Sequence, residues 1–211
     1  MIELIAVRHG ETDWNRFRRL QGHTDIALNG TGIEQAARLA AALAGESIAA
    51  IHSSDLARAL ATAEPVAAAL GLAIRQDRLL RERNYGLLEG KTFAEILEHH
   101  PEEAERLRLR DATHRMPSGE SQQEFFERVV GAVDAIAIEE EHASKSSAKR
   151  DGEGARTVLL VTHGGVLDML HRAANDLPLD GARTCAIPNA LINRIQFDHG
   201  RFTVKAWAEE T

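Results

Sequence analysis

Two histidines stand in matching surroundings. Arg8-His9-Gly10 follows an apolar run from Glu3 to Val7, and His163-Gly164-Gly165 follows a second run from Thr157 to Val161. A short apolar run that ends in a loop reads as a buried strand, and ligands of open α/β sheets collect outside the carboxyl ends of the strands. Both imidazoles are therefore expected at one rim, within reach of each other. A glycine after each histidine lets backbone approach an anion closely, and the Arg8 guanidinium suits bidentate binding of a phosphoryl group. The chemistry open to such a set is phosphoryl transfer. That reaction is mostly positioning plus neutralisation of charge on the equatorial oxygens, so a site without metal needs several fixed cations and a neutral histidine to attack. A protonated His163 beside Arg8 would supply part of that charge.

Structural roles compete with each of these readings. A lone histidine at a strand end more often packs or hydrogen-bonds than reacts, and Glu82, between Arg81 and Arg83, taken alone reads as a salt-bridge partner. His99, His100, His114, His142, His171 and His199 lie in polar or helical surroundings that suit the surface. The sequence has no H-E-x-x-H, no paired cysteine and no ligand cluster at zinc spacing, so no metal is expected. Gly30-Thr31-Gly32 lacks the third glycine of a dinucleotide fingerprint, and Gly164-Gly165 lacks the lysine of a P-loop. No cofactor follows from either.

The elements that must position these residues alternate between strands and helices. Thr31 to Glu34 has capping-box spacing and opens a helix to about Ala44; Ile48 to His52 reads as a strand; Asp55 to Leu70 reads as a helix stopped by Gly71, with a kink or break at Pro65 and Arg58 in its first turn. Thr92 to Glu95 and Ser121 to Glu124 are two further capping boxes, with Pro101 suited to the first turn of a helix between them; the second box opens a helix to about Glu139. Val166 to Ala174 reads as a helix, and the tail, Ala190 to Phe197 and Phe202 to Trp207, as a hairpin. The fold class expected is α/β, a three-layer αβα sandwich whose mostly parallel sheet carries an antiparallel edge. Residues 1–211 are expected to form a single domain. Residues 141–156, polar and without apolar period, read as a flexible insertion.

Composition narrows the classes further. The chain has 211 residues, 44% hydrophobic and 27% charged, enough for one sizeable core without disulfides. Its one cysteine, Cys185, fits a reducing compartment. There is no basic leader and no apolar run long enough for a membrane span, so a cytoplasmic protein is expected, with no membrane partner. With 25 Lys+Arg against 32 Asp+Glu the net charge is -7, which argues against nucleic acid as a partner and requires any anion to find a local cationic pocket. No sustained heptad marks an oligomer interface, which leaves a homodimer open.

Taken together the motifs resemble those of the histidine phosphatase superfamily, also called phosphoglycerate mutase-like, and especially its cofactor-independent broad-specificity phosphatase branch. Arg8-His9-Gly10-Glu11-Thr12, Trp14-Asn15, Gln21-Gly22 and Asp25 match the opening signature; Ser53-Ser54-Asp55-Leu56, Arg58-Ala59 and Thr62-Ala63 follow. Leu80-Arg81-Glu82, Tyr85-Gly86, Glu89-Gly90, the stretch Ser118 to Ser121, and Val161-Thr162-His163-Gly164 complete the order. The resemblance implies that His9 is the phosphorylated nucleophile, that Arg8, Arg58 and His163 surround the phosphoryl group, and that Glu82 is the proton donor. It places Gly10, Asn15, Gln21, Gly22 and Gly164 about the phosphate or substrate. The function it implies is metal-independent hydrolysis of a small-molecule phosphomonoester. Two alternatives remain. One is a 2,3-bisphosphoglycerate-dependent phosphoglycerate mutase, since Glu82 to Gly86 is close to the mutase version of that segment; the other is a phosphate-binding module without turnover. Arg16, Arg18, Arg19 and Arg83 are candidates for reading a second anionic group, and the stretch from Phe93 to Met116 reads as lid-like. Neither names the natural alcohol.

Overall fold

Alternation along the central strands builds the layers. In a computed structural model, which describes residues 1–147 and 155–211, the first strand, β1 (Ile2–Arg8), sends Ile2, Leu4 and Ala6 to one face of a sheet and Ile5 and Val7 to the other. Strand β4 (Arg156–Thr162) does the same with Val158 and Leu160 against Leu159 and Val161. This two-residue period, apolar on both sides, is what a central strand covered by helices requires. Full burial of each Val, Leu or Ile among them contributes about 1.5–3 kcal/mol.

Helices α2 (Gly30–Leu43) and α3 (Ala57–Leu70) cover one face through Leu39, Leu43, Ala59, Ala63 and Val66. Helices α6 (Gln122–Ser147) and α7 (Gly164–Ala174) cover the other through Phe125, Val129, Val133, Val166 and Leu170. With β2 (Ile48–Ser53), β3 (Ile74–Gln76), β5 (Ile192–Asp198) and β6 (Arg201–Glu209), the strand order is β3-β2-β4-β1-β5-β6. β1 pairs in parallel with β4, β4 with β2 and β2 with β3, whereas β5 and β6 run antiparallel. The αβα sandwich with an antiparallel edge is the one expected. Short α1 (Asp13–Arg16) and the pair α4 (Phe93–His99) and α5 (Pro101–Leu109) complete the α-helices among the described residues, and a small core of Leu88, Ile96, Ala104 and Met116 seats α4 and α5.

Several boundaries differ from expectation. The cap of α2 is Asn29, whose side chain accepts from Gly32 N at 2.9 Å, two residues before the expected Thr31. α3 runs through Pro65 without a break; the proline forfeits one amide bond, and the buried Ala59, Ala63 and Val66 hold the helix on either side. Residues 141–147 are not an irregular insertion, because they continue α6, and Arg156 opens β4. Buried Glu140 explains the continuation, since it binds His52 at 3.1 Å and Arg156 at 2.7 Å and so ties this turn of α6 to β2 and β4. The remainder of the expected insertion, 148–154, lies outside the described residues. No helix among the described residues is long and apolar enough to cross a membrane.

Candidate active site

Register brings the two histidines together. Arg8 pairs with Thr162 at the carboxyl ends of the adjacent parallel strands β1 and β4, and His9 N donates to Thr162 O at 2.8 Å. The next residue on each strand is thus a histidine at the same level, and their ring centroids lie 5.2 Å apart at an angle of 61°. His9 is 3% exposed and His163 is fully buried.

His9 Nδ1 lies 2.7 Å from Gly10 O. A carbonyl only accepts, so Nδ1 carries the proton and Nε2 is left with its lone pair. Burial, then Arg58 and Arg8, hold His9 well below its ordinary pKa of 6.5. The ring is neutral and nucleophilic at Nε2. The loop is held in place from outside: Gly10 N donates to Thr62 Oγ1 at 2.9 Å and Asn189 Nδ2 donates to His9 O at 2.8 Å. At Gly10 a Cβ would stand 2.5 Å from Gly32 O, so the close approach of this loop to α2 requires glycine.

Arg58, in the first turn of α3, has no exposed surface. Its Nη2 donates to Gly22 O at 2.8 Å, its Nη1 to Thr24 O at 3.0 Å and its Nε to His163 Nδ1 at 3.3 Å. Burial lowers its pKa to about 10, so it remains a cation at neutral pH. Arg8 donates to Ile187 O at 2.9 Å, and its Nε is buried without a partner. Neither arginine has a carboxylate within ion-pair distance among the described residues. His163 Nε2 meets Ser54 Oγ at 2.8 Å. Burial, then Arg58, His9 and Arg8, push the pKa of His163 well below 6.5, so with these protein charges alone around it the ring is neutral; the protonated ring expected for phosphoryl transfer belongs to a site that holds a phosphoryl group.

Glu82 is in no salt bridge among the described residues. Arg81 is engaged by Asp55 through two contacts of 2.6 Å, and Arg83 turns away to Glu120 O at 3.2 Å. The Glu82 oxygens instead accept Gly165 N and Arg83 N, each at 2.8 Å. A Cβ at residue 165 would fall on Glu82 Oε1, so the second glycine of the pair is what admits the carboxylate to the rim.

Arg8, His9, Arg58 and Glu82 line one cleft of about 230 Å³, with Asn15, Gln21 and Gly164 beside them, whereas the fully buried His163 is not among its lining residues. Gly164 opens α7, so the positive end of that helix dipole faces the cleft. Asn15 Oδ1 accepts from Thr12, while Gln21 Nε2, like Arg8 Nε, is a buried donor with no partner. Gly10 and Gly22, expected against the ligand, do not line the cleft; their carbonyls hold His9 and Arg58 instead. Of the arginines expected to read a second anion, Arg19 lines this cleft, Arg18 and Arg83 line a neighbouring one, and Arg16 stacks over Phe17 at 5.9 Å.

The family model described as histidine phosphatase superfamily (branch 1) matches residues 4–210. The chain belongs to the histidine phosphatase superfamily. A relative named probable phosphoglycerate mutase GpmB, from Salmonella choleraesuis, is 36% identical over 213 aligned positions, covering 100% of this chain and 92% of that protein. Among solved structures, YhfR of Bacillus stearothermophilus is similar with a TM-score of 0.85 at 33% identity, covering 100% of this chain and 98% of that one. A mycobacterial glucosyl-3-phosphoglycerate phosphatase solved with VO3 has a TM-score of 0.83 at 31% identity, with 100% of each chain covered.

This member of the superfamily also carries residues that sequence reasoning gave no role. Arg183 lines the cleft and Asn189 holds the His9 carbonyl; both come from the irregular stretch after α7, which has no periodicity to read. Glu89 was visible only as a motif letter. It accepts His23 N at 2.9 Å, Tyr85 N at 3.1 Å and Thr24 N at 2.7 Å, which binds the loop under Arg58 to the Glu82 segment.

Proposed function

We infer that this chain is a phosphomonoester hydrolase that works through a phosphohistidine at His9. The observation that carries the reading is one cleft holding a neutral Nε2 beside two arginines with no carboxylate at ion-pair distance, and two buried donors, Arg8 Nε and Gln21 Nε2, with no hydrogen-bond partner, among the described residues. Unpaired buried donors are costly, and a phosphoryl group would satisfy them while neutralising both cations.

In the first step His9 Nε2 attacks phosphorus and the ester P–O bond breaks, with Glu82 giving its proton to the departing alcohol. In the second, water attacks phosphorus, Glu82 takes its proton, the N–P bond breaks and inorganic phosphate leaves. Arg8 and Arg58 neutralise the equatorial oxygens throughout. A dianionic phosphoryl group beside His163 would also favour protonation of that ring, reversing the effect of the arginines.

Turnover of p-nitrophenyl phosphate by the wild type, lost in His9→Ala, tests this reading. A protein that binds phosphate but turns over no ester would instead be the binding module. A second reading, mutase activity, is favoured by the relatives named probable phosphoglycerate mutase. It predicts interconversion of 3- and 2-phosphoglycerate, primed by 2,3-bisphosphoglycerate, at rates well above hydrolysis.

A further inference from the structure

Glu82, which carries the proton in both steps above, sits on a stretch with no regular structure of its own. Residues 81–85 fall between two single turns of 3₁₀ helix, Arg78–Leu80 and Gly86–Leu88. Such a loop holds a side chain in one place only if its backbone groups are bound from elsewhere. Here much of that binding comes from one side chain of α6.

Arg128 is that side chain. Its Nη1 donates to Leu79 O at 2.7 Å and to Arg81 O at 3.1 Å, and its Nη2 donates to Glu82 O at 3.2 Å. One guanidinium thus takes three carbonyls within four residues, the last of them that of Glu82 itself. The fork is fixed in turn by Glu120, which accepts Nη2 at 2.5 Å and Nε at 3.2 Å. The two side chains are 18% and 14% exposed, so salt screens the pair little. Glu120 also accepts Asn84 N at 2.8 Å, and its own N donates to Asn84 O at 3.0 Å. The chain is therefore gripped on both sides of residue 82, with His23 Nε2 adding a second donor to Glu82 O at 3.0 Å. One turn before Arg128, the Phe125 ring lies beside the Glu82 carboxyl at Gly165, and Arg128 Cζ stands 5.2 Å from the centre of that ring. A general acid works only within hydrogen-bond reach of the oxygen it protonates, and a misplacement of ~1 Å can cost ~10²-fold in rate.

We propose that Arg128, held by Glu120, is a positioning residue for proton transfer: it fixes the backbone at residue 82 so that the Glu82 carboxyl reaches the departing oxygen. This rests on the hydrolase reading above. Arg128 does not line the cleft, so its effect runs through Glu82. Loss of the clamp slows protonation of the leaving group and leaves binding of the phosphoryl group, the work of Arg8 and Arg58, as it was.

Phenyl phosphate and p-nitrophenyl phosphate, which differ by one nitro group, separate the two effects. Phenolate is the stronger base and needs a proton as it leaves; p-nitrophenolate does not. For both esters kcat/KM reports the steps up to release of the phenol. Arg128→Gln should lower kcat/KM for phenyl phosphate by about 10–10² while that for p-nitrophenyl phosphate, and inhibition by inorganic phosphate, stay within about twofold of wild type. Arg128→Lys, which keeps a charge beside Glu120 but not the fork, should recover part of the loss. In a Glu82→Gln background the change at residue 128 should cost less than about twofold more, because the group it positions is gone. Equal losses on the two esters, losses that multiply in the double variant, or an unaltered rate on phenyl phosphate would each overturn the proposal. Should Arg128→Gln fail to fold, Glu120→Gln, which breaks the ion pair but keeps an oxygen for Asn84 N, is read in the same way. Hydrolysis of neither ester by the wild type overturns the hydrolase reading itself; hydrolysis of p-nitrophenyl phosphate alone keeps that reading and overturns the role of Arg128.

Discussion

Arg58 Nε lies 3.3 Å from His163 Nδ1, so a buried guanidinium holds the proton donor side of this contact and His163 Nδ1 must accept. The proton of the neutral ring then sits on Nε2, facing Ser54 Oγ at 2.8 Å. One arginine therefore fixes the tautomer and orientation of the second histidine, sets the loop carrying Gly22 and Thr24, and supplies charge to the cleft.

Replacing Arg58 by lysine keeps a cation but cannot serve three acceptors in a fixed fork. Arg58→Lys should lower kcat/KM by about 10²–10³, as expected for loss of one preorganised donor to the transition state. It should also cost about 1–3 kcal/mol of stability in a urea titration, because the carbonyls of Gly22 and Thr24 lose their donor. Activity within a few-fold of wild type would show that the contact is incidental.

Glu82 is tested through the leaving group. With an alkyl phosphate, Glu82→Gln should lower kcat by about 10²–10⁴, since the departing alkoxide has no proton to take. p-Nitrophenolate leaves without one. The same variant should give a burst of p-nitrophenol close to one equivalent of enzyme and then turn over slowly, because water attack still lacks its base. Equal losses on both substrates and no burst would remove Glu82 from proton transfer.

The buried histidines give stability a defined pH dependence. His9 and His163 titrate near 6.5 when unfolded and well below that when folded. Above pH 6.5 both states bind the same number of protons at these rings and stability is unaffected. Below it the unfolded chain binds more, so stability falls with pH by about 1.4 kcal/mol per unit for each ring until the folded value is reached. His163→Gln should flatten the slope by about that amount between pH 6.5 and 5.5. An unchanged slope would mean that the ring titrates normally in the fold.

Chelation gives a simple further check. No group of three or more His, Cys, Asp or Glu among the described residues could hold a metal ion, and the charge at the cleft comes from arginine. EDTA should leave phosphatase activity unchanged; loss of activity restored by Mg²⁺ or Zn²⁺ would contradict the mechanism.

The parts of this molecule that could be read from its sequence are those with local physics. Apolar runs of strand length gave β1, β2 and β4, and capping boxes at Thr92 and Ser121 placed α4 and α6 within a residue. That His9 and His163 meet was legible because both end parallel strands. Three-residue β3 carries too short a pattern to find. The electrostatic state of His163 could not be read either, since it depends on how deeply Arg58 and Arg8 are buried beside it, and Arg183 and Asn189 reach the site from a segment whose path only tertiary packing determines.

The central claim is a covalent N–P bond at one imidazole. Rapid acid-free quenching of the wild type during turnover of a phosphomonoester, followed by peptide mass spectrometry under alkaline conditions, should find a single phosphohistidine at His9, absent from His9→Ala and accumulating in Glu82→Gln. Phosphate found on another residue, or full turnover with no adduct on His9, would contradict the account.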